Sequence, residues 1–200
     1  MLQSNRIKAT ALFTLKLSIV LALLIGATQR WGVYYVEALL PLYRSVMNFI
    51  LPDYQVVNLS LSYQHAEAIV AAHFITVKEQ IIGGQTLPVG VTLDASTLAD
   101  HALKHLIVVA AAILLWPELK LKERAIRLFL AAPLILLLEA IDIPFAIAGA
   151  IQDVVFFNLS PDYATNKPWL VTWLHMLDGG GRLALSVLVA LIVNHRFSKS

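Results

Sequence analysis

The chain has 200 residues, of which 58% are hydrophobic and only 14% are charged, and its mean hydropathy is +0.73. Soluble domains carry about 25% charged residues, so this composition argues against a soluble domain and predicts a membrane protein. The formal net charge of +2 does not indicate a nucleic-acid partner. The absence of cysteine excludes disulfides, thiolate metal sites and a cysteine nucleophile.

Four apolar segments have the ~20 residues that a helix needs to cross a bilayer. They cover residues 9–27, 97–116, 125–150 and 169–193. The first segment has the basic start and apolar middle of a signal peptide, but Ile25-Gly26-Ala27 is a poor cleavage site. We therefore expect an uncleaved anchor and four transmembrane helices.

Lysine and arginine residues at the borders of these segments predict the orientation of the chain. They lie before the first segment, between the second and third, and after the fourth: Arg6, Lys8, Lys120, Lys122, Arg124, Arg127, Arg196 and Lys199. With four spans these three regions share one side of the membrane. We expect an inner-membrane protein with both termini in the cytoplasm.

Residues 29–53 have apolar positions at helical spacing and several aromatic residues, namely Trp31, Tyr34, Tyr35 and Tyr43. Aromatic rings prefer the headgroup level of a bilayer, so this segment is predicted to lie in the outer interface or to extend the first span. Pro41 is expected to kink it.

Residues 54–96 have the alternation of β-strands. Val57, Leu59 and Leu61 are predicted on one face of the first strand, and Gly83-Gly84 marks a turn. The predicted fold is mainly α, a polytopic membrane protein with a small β-rich extracytoplasmic segment of two or three strands. Its parts are a first transmembrane helix (1–28), an interfacial helix (29–53), the β-rich segment (54–96) and a three-helix transmembrane region with a cytoplasmic tail (97–200).

Ionisable residues inside a bilayer are costly and are therefore candidates for function. Seven of them recur at spacings of three or four within the last three predicted spans: His101, His105, Glu139, Asp142, His175, Asp178 and Arg182. Residues at these spacings share a helix face. The alternating direction of the spans places all seven in the outer half of the bundle.

Three interpretations of this cluster are open. It is a structural polar network in which Arg182 pairs with Asp178 or Glu139, or a site for a substrate, a peptide or a lipid headgroup. Alternatively, His101 and His105 are ligands of a transition metal, because histidines four residues apart on a helix can share an ion. The first interpretation needs no cofactor.

The run Asp178-Gly179-Gly180-Gly181-Arg182 interrupts the fourth predicted span. Small residues let helices approach closely, so the glycines indicate tight helix packing. The alternative is a broken helix whose free backbone groups line a polar cavity.

The order of an anchor, a β-rich outer segment, three further spans and a basic tail resembles the exosortase H-associated small membrane proteins. The stretches that carry the resemblance are RWGVYYVEALLPLYRSVMNFILPDY, VTLDASTLADHALKHLIVVAAAILLWP and LIVNHRF. The resemblance implies an accessory role beside a membrane-embedded sorting protease. Exosortases themselves use a cysteine with arginine and histidine, and this chain has no cysteine.

The leading hypothesis is a non-enzymatic membrane accessory protein or subunit, whose partners are the lipid bilayer and a larger membrane protein complex. The alternative is a membrane-embedded metal- or substrate-binding enzyme with its site in the outer half of the helix bundle.

Overall fold

The structure is a computed structural model that describes the backbone of residues 2–117 and 119–196 and the side chains of 10–117 and 119–195. The predicted border charges on the side chains of Arg6, Lys8 and Arg196, and on Lys199, lie outside the described residues. The elements in chain order are α1 (Leu2–Ile50), β1 (Tyr54–Gln64), β2 (Glu67–Thr76), β3 (Gln80–Ile82), β4 (Gln85–Leu87), β5 (Thr92–Leu98), α2 (Asp100–Leu115), α3 (Leu121–Leu159), α4 (Trp169–Met176), a π-helical turn (Leu177–Gly181) and α5 (Arg182–Arg196).

Three helical segments are long and apolar enough to cross a membrane: Thr10–Ile50, Leu121–Leu159 and Trp169–His195. The second predicted span corresponds to α2, which has 16 residues. At 1.5 Å per residue α2 is ~24 Å long, below the ~30 Å of a hydrocarbon core. The protein is thus mainly helical, with three helices of membrane-spanning length and a small sheet, and a crossing by α2 stays a prediction.

Helix α1 joins the two segments that the sequence divides at residue 28. It is one helix of 49 residues, and its helical backbone continues through Pro41. At ~73 Å it is more than twice the ~30 Å thickness of a hydrocarbon core. Of the two predicted alternatives for residues 29–53, the structure therefore has the extension of the first span.

The three long strands form one antiparallel sheet in the order β1-β2-β5, and β3 pairs with β4 in a separate hairpin. The register of β1 shifts between Val56 and Asn58, so Val57 is the extra residue of a β-bulge. Leu59 and Leu61 pack against the core as predicted, but Val57 is 58% exposed and Val56 is buried in its place. The prediction for Val57 is wrong because the bulge reverses the alternation.

A turn at Gly83 and Gly84 joins β3 to β4, as the sequence predicts. Both residues have positive φ angles of 58° and 81°, a conformation that glycine adopts without strain. A Cβ atom at Gly83 would also lie 2.6 Å from the carbonyl oxygen of Leu159, at the end of α3. The hairpin therefore rests directly on the C-terminal end of that helix.

Two hydrophobic cores lie one above the other. The outer core joins the second half of α1, the sheet and the second half of α3, and Tyr43, Met47, Phe74 and Ile147 are fully or almost fully buried there. The inner core joins α2, α3 and α5. The continuation of α1 carries the Tyr43 ring into this outer core.

The glycine run forms the π-helical turn between α4 and α5. Gly180 leaves the helical conformation, with φ 107° and ψ 0°. A Cβ atom at Gly179 or Gly180 would meet nothing within 4 Å, so these two glycines do not serve helix packing. The structure favours the broken-helix alternative.

Candidate functional site

Asp142 on α3 is the centre of a buried polar cluster. It is fully buried, and its Oδ2 lies 2.7 Å from His105 Nε2 of α2. Arg182 Nε of α5 donates to Asp142 Oδ1 at 2.9 Å and to Oδ2 at 3.0 Å. One carboxylate thus joins three helices through two side chains that the sequence predicts as its neighbours.

Ser186 extends this cluster on α5. Its Oγ lies 2.7 Å from His105 Nδ1 and donates to the carbonyl oxygen of Arg182 at 2.8 Å. Both ring nitrogens of His105 are thus engaged, Nε2 with Asp142 and Nδ1 with Ser186.

Arg182 also contacts Asp178 one turn earlier, at 2.5 Å from Nη1 to Oδ1. The Arg182 side chain is 8% exposed and that of Asp178 is 55% exposed. The cluster therefore runs from the buried Asp142 to an acid that reaches the surface. Both carboxylates contact the Arg182 guanidinium, and a charge in a low-dielectric interior has to be paired in this way. Arg182 Nη2 is buried without a hydrogen-bond partner.

Glu139 belongs to a second polar group on α3. It is fully buried, and it accepts a hydrogen bond from the Tyr43 hydroxyl at 2.8 Å and from the Tyr35 hydroxyl at 3.4 Å. The sequence predicts Arg182 as a possible partner of Glu139, but in the structure the partners of Glu139 are these two tyrosines of α1. The seven candidate residues therefore do not form one cluster.

His101 and His175 lie outside both groups. His101 is half-buried at the start of α2, with Nδ1 3.2 Å from the Thr97 hydroxyl. His175 is exposed on α4. His105 has both ring nitrogens engaged with Asp142 and Ser186, so it offers no lone pair to an ion shared with His101. Within residues 10–117 and 119–195, no group of three or more histidine and acidic residues is arranged to hold a metal ion.

Two further polar groups were missed at the level of the sequence. Ser186 follows Arg182 by four residues and so lies on the same helix face, a spacing that could have identified it. Arg127 is 5% exposed, and its Nη1 donates to the carbonyl oxygen and to Oδ1 of Asn194, both at 2.9 Å. Arg127 was predicted only as a border charge, and no local pattern points to Asn194.

The order Ser186, His105, Asp142 is that of a nucleophile, a base and an orienting acid. The arrangement is closed, however, because Ser186 is 1% exposed and His105 and Asp142 are fully buried. Ser186 Oγ is also 2.8 Å from the carbonyl oxygen of Arg182, which competes with the histidine for the hydroxyl hydrogen. These contacts carry the functional interpretation alone, because no protein-family model, no curated protein and no solved structure matches the chain.

Proposed function

We propose that this chain is a non-enzymatic accessory subunit of a larger membrane protein complex in the cell inner membrane. The outer edge of β1 is the observation that carries the proposal. This strand has 11 residues and pairs only with β2. Exposed edges of this kind accept a strand from another chain, with backbone hydrogen bonds supplying the affinity.

The composition of β1 supports this use of its edge. Its sequence, YQVVNLSLSYQ, has no charged residue and no proline, the two residue classes that most often block strand pairing. Within the described chain, the outer edge has one polar contact, from Arg44 Nη2 to the carbonyl oxygen of Val57 at 3.2 Å. That contact lies at the bulge, and residues 58–64 beyond it form a regular ladder with β2. These seven residues are the proposed pairing edge.

The sheet is held in place by the two longest helices. Leu39, Tyr43 and Met47 of α1 and Ile151 of α3 belong to the same core as Phe74 of the central strand. A strand edge that is ordered before binding loses less conformational entropy when a partner arrives. The outer core therefore favours a constitutive interaction surface.

The proposal includes α2 as a fourth membrane crossing, with both termini in the cytoplasm. Helix α2 packs against α1, α3 and α5, and His105 in its interior is bound to two of these helices. The predicted span 97–116 adds only Ala99 and Trp116 to α2, because Thr97 and Leu98 lie in β5. The proposed crossing is then ~27 Å long, which a bilayer accommodates by local thinning. Lys120, Lys122 and Arg124 then lie on the cytoplasmic side, in agreement with the positive-inside rule.

The proposed partner is the protease of an exosortase-type protein-sorting system. The resemblance of the chain's layout to the exosortase H-associated proteins supports this choice. The lack of a cysteine nucleophile agrees with an accessory role beside the enzyme.

Two serines at opposite edges of the sheet provide the test. Ser60 on β1 is paired with Ala71 on β2, which is paired with Ser96 on β5, so the three residues are in line across the sheet. Ser60→Lys introduces a charge at the proposed pairing edge, and Ser96→Lys is the matched control at the other edge. On co-expression with an exosortase from the same genome, Ser60→Lys should lose co-purification and Ser96→Lys should keep it. Retention by both variants would refute pairing at β1.

A second candidate function is a membrane-embedded enzyme, and the Ser186–His105–Asp142 chain is the observation that favours it. The test is a fluorophosphonate probe, which labels activated serines. Labelling of the wild type that is lost in Ser186→Ala would support the enzyme. Absence of labelling in detergent and in native membranes is the result that the burial of Ser186 predicts.

A further inference from the structure

The first half of α1 lies apart from the rest of the bundle. Residues 10–31 include no buried residue, and the most apolar 18-residue window of the Thr10–Ile50 helix is not buried at any position. A groove separates this half of α1 from α2. We call it the α1–α2 groove, and we propose that it binds an anionic phospholipid.

Two cavities form the α1–α2 groove. The lower one has a volume of about 550 Å³ and lies between α1, the end of α2 and the start of α3. The upper one has a volume of about 200 Å³ and is lined by Leu24, Ala27 and Trp31 of α1 and by Leu103 and Ile107 of α2. Most of the side chains that line the upper cavity are apolar, so it suits a hydrocarbon chain.

Among the described residues, the charged ones that line the two cavities are Lys16 and Arg124, both cations in the lower cavity. Neither forms a salt bridge within the described chain. Arg124 Nε is buried and has no hydrogen-bond partner in the part of the chain that the structure describes, and Nη2 makes one long contact of 3.5 Å to the carbonyl oxygen of Trp116. The unused hydrogen-bond donors of the Arg124 guanidinium, together with the charge of Lys16, are suited to binding a phosphate group.

The position of these cations agrees with a lipid headgroup. Trp116 lines the same cavity, and tryptophan is enriched at the headgroup level. Lys120 and Lys122 follow directly in the chain, at the end that the positive-inside rule places in the cytoplasm. Basic pockets between membrane helices on this side bind anionic headgroups.

The length of the groove agrees with an acyl chain. The α1 residues that line it recur at spacings of three and four, from Lys16 in the lower cavity to Trp31 in the upper one. This distance is ~22 Å, which exceeds the ~15 Å of hydrocarbon in one leaflet. A phospholipid whose phosphate lies at Lys16 and Arg124 can therefore pack the whole length of one acyl chain against α1.

The test is native mass spectrometry of the full chain titrated with dioleoyl-phosphatidylglycerol or dioleoyl-phosphatidylcholine. The wild type should bind the anionic lipid more tightly. Lys16→Gln/Arg124→Gln should weaken that binding about 30-fold, because each cation contributes about 1 kcal/mol to binding an anionic headgroup. Lys120→Gln/Lys122→Gln is the matched control, with the same loss of charge outside the groove, and it should bind like the wild type. Equal loss in both double variants would overturn the site.

Two further measurements test the apolar part of the α1–α2 groove and the alternative that a partner helix occupies it. Val20→Phe narrows the lower cavity and keeps both cations, so it should weaken binding of the anionic lipid; wild-type affinity in this variant would overturn the proposal. A photo-crosslinking amino acid at Val20 should capture lipid in native membranes. Capture of a polypeptide there would instead show that a partner helix fills the groove, and would also overturn the proposal.

Discussion

Replacement of Asp142 by leucine should destabilise the helix bundle strongly. In the wild type, Arg182 Nε donates to both carboxylate oxygens of Asp142, and the Arg182 side chain is only 8% exposed. The substitution removes this acceptor. His105 also loses its partner at Nε2. Arg182 keeps its contact with the exposed Asp178, so the loss of its buried partner should cost about 3 kcal/mol, the low end of the range for breaking a buried pair. We therefore expect Asp142→Leu to lower the free energy of unfolding by about that amount.

The assay is unfolding of the full chain in mild detergent by titration with sodium dodecyl sulfate, followed by circular dichroism. Asp142→Leu/Arg182→Met removes both partners and should recover a large part of the loss, because an apolar pair replaces the ionic one. Asp178→Asn is the control: its side chain is 55% exposed, so its effect should stay below about 1 kcal/mol. If Asp142→Leu is no worse than Asp178→Asn, or if the double variant is as unstable as the single one, the cluster does not hold the bundle together.

Three further predictions concern other parts of the fold. Tyr43→Phe removes the 2.8 Å hydrogen bond to Glu139 and should cost about 1.5–3 kcal/mol in the same assay, since the acceptor is a buried acid. Gly149→Ala places a Cβ atom 2.6 Å from a backbone carbonyl of α4 and should destabilise the bundle by about 1–3 kcal/mol. The chain has no cysteine, so a membrane-impermeant maleimide should label Ser96→Cys in intact spheroplasts and Lys122→Cys only after permeabilisation.

Each of these has a matched control. Tyr35→Phe removes only the 3.4 Å contact with the same acid and should cost less than Tyr43→Phe; the reverse order would contradict the geometry. Gly179→Ala meets no atom within 4 Å and should leave stability unchanged. Labelling of both cysteine variants from the same side would refute the proposed orientation.

Most of the fold follows from patterns that the sequence contains. The apolar segments near residues 9–27, 125–150 and 169–193 correspond to helices of membrane-spanning length, and the alternation after Tyr54 corresponds to a real sheet. The continuity of α1 was one of two predicted alternatives, and the sequence could not decide between them because Pro41 is expected to kink a helix. The β-bulge at Val57 could not be predicted from the sequence either, since it depends on how β1 pairs with β2.

The polar cluster could be predicted in part, because helical spacing is visible in the sequence. Asp142, Asp178, Arg182 and His105 lie at spacings that bring them to facing helix surfaces, and the structure joins all four. Glu139 has the same kind of spacing, but its partners Tyr43 and Tyr35 lie on α1. Local periodicity therefore indicates which residues share a helix face, whereas the choice among partners depends on contacts distant in the chain.

The continuous α1 also limits which partners can reach β1. From Val36 to Ile50 this helix adds only ~21 Å, and the sheet packs alongside that stretch through Val36, Tyr43 and Met47. If the first half of α1 crosses the bilayer as proposed, the free edge of β1 is therefore held in a layer close to the bilayer surface. A protein that pairs with β1 must offer its own strand within the same thin layer, a condition that favours neighbours anchored in the same membrane over freely diffusing ones.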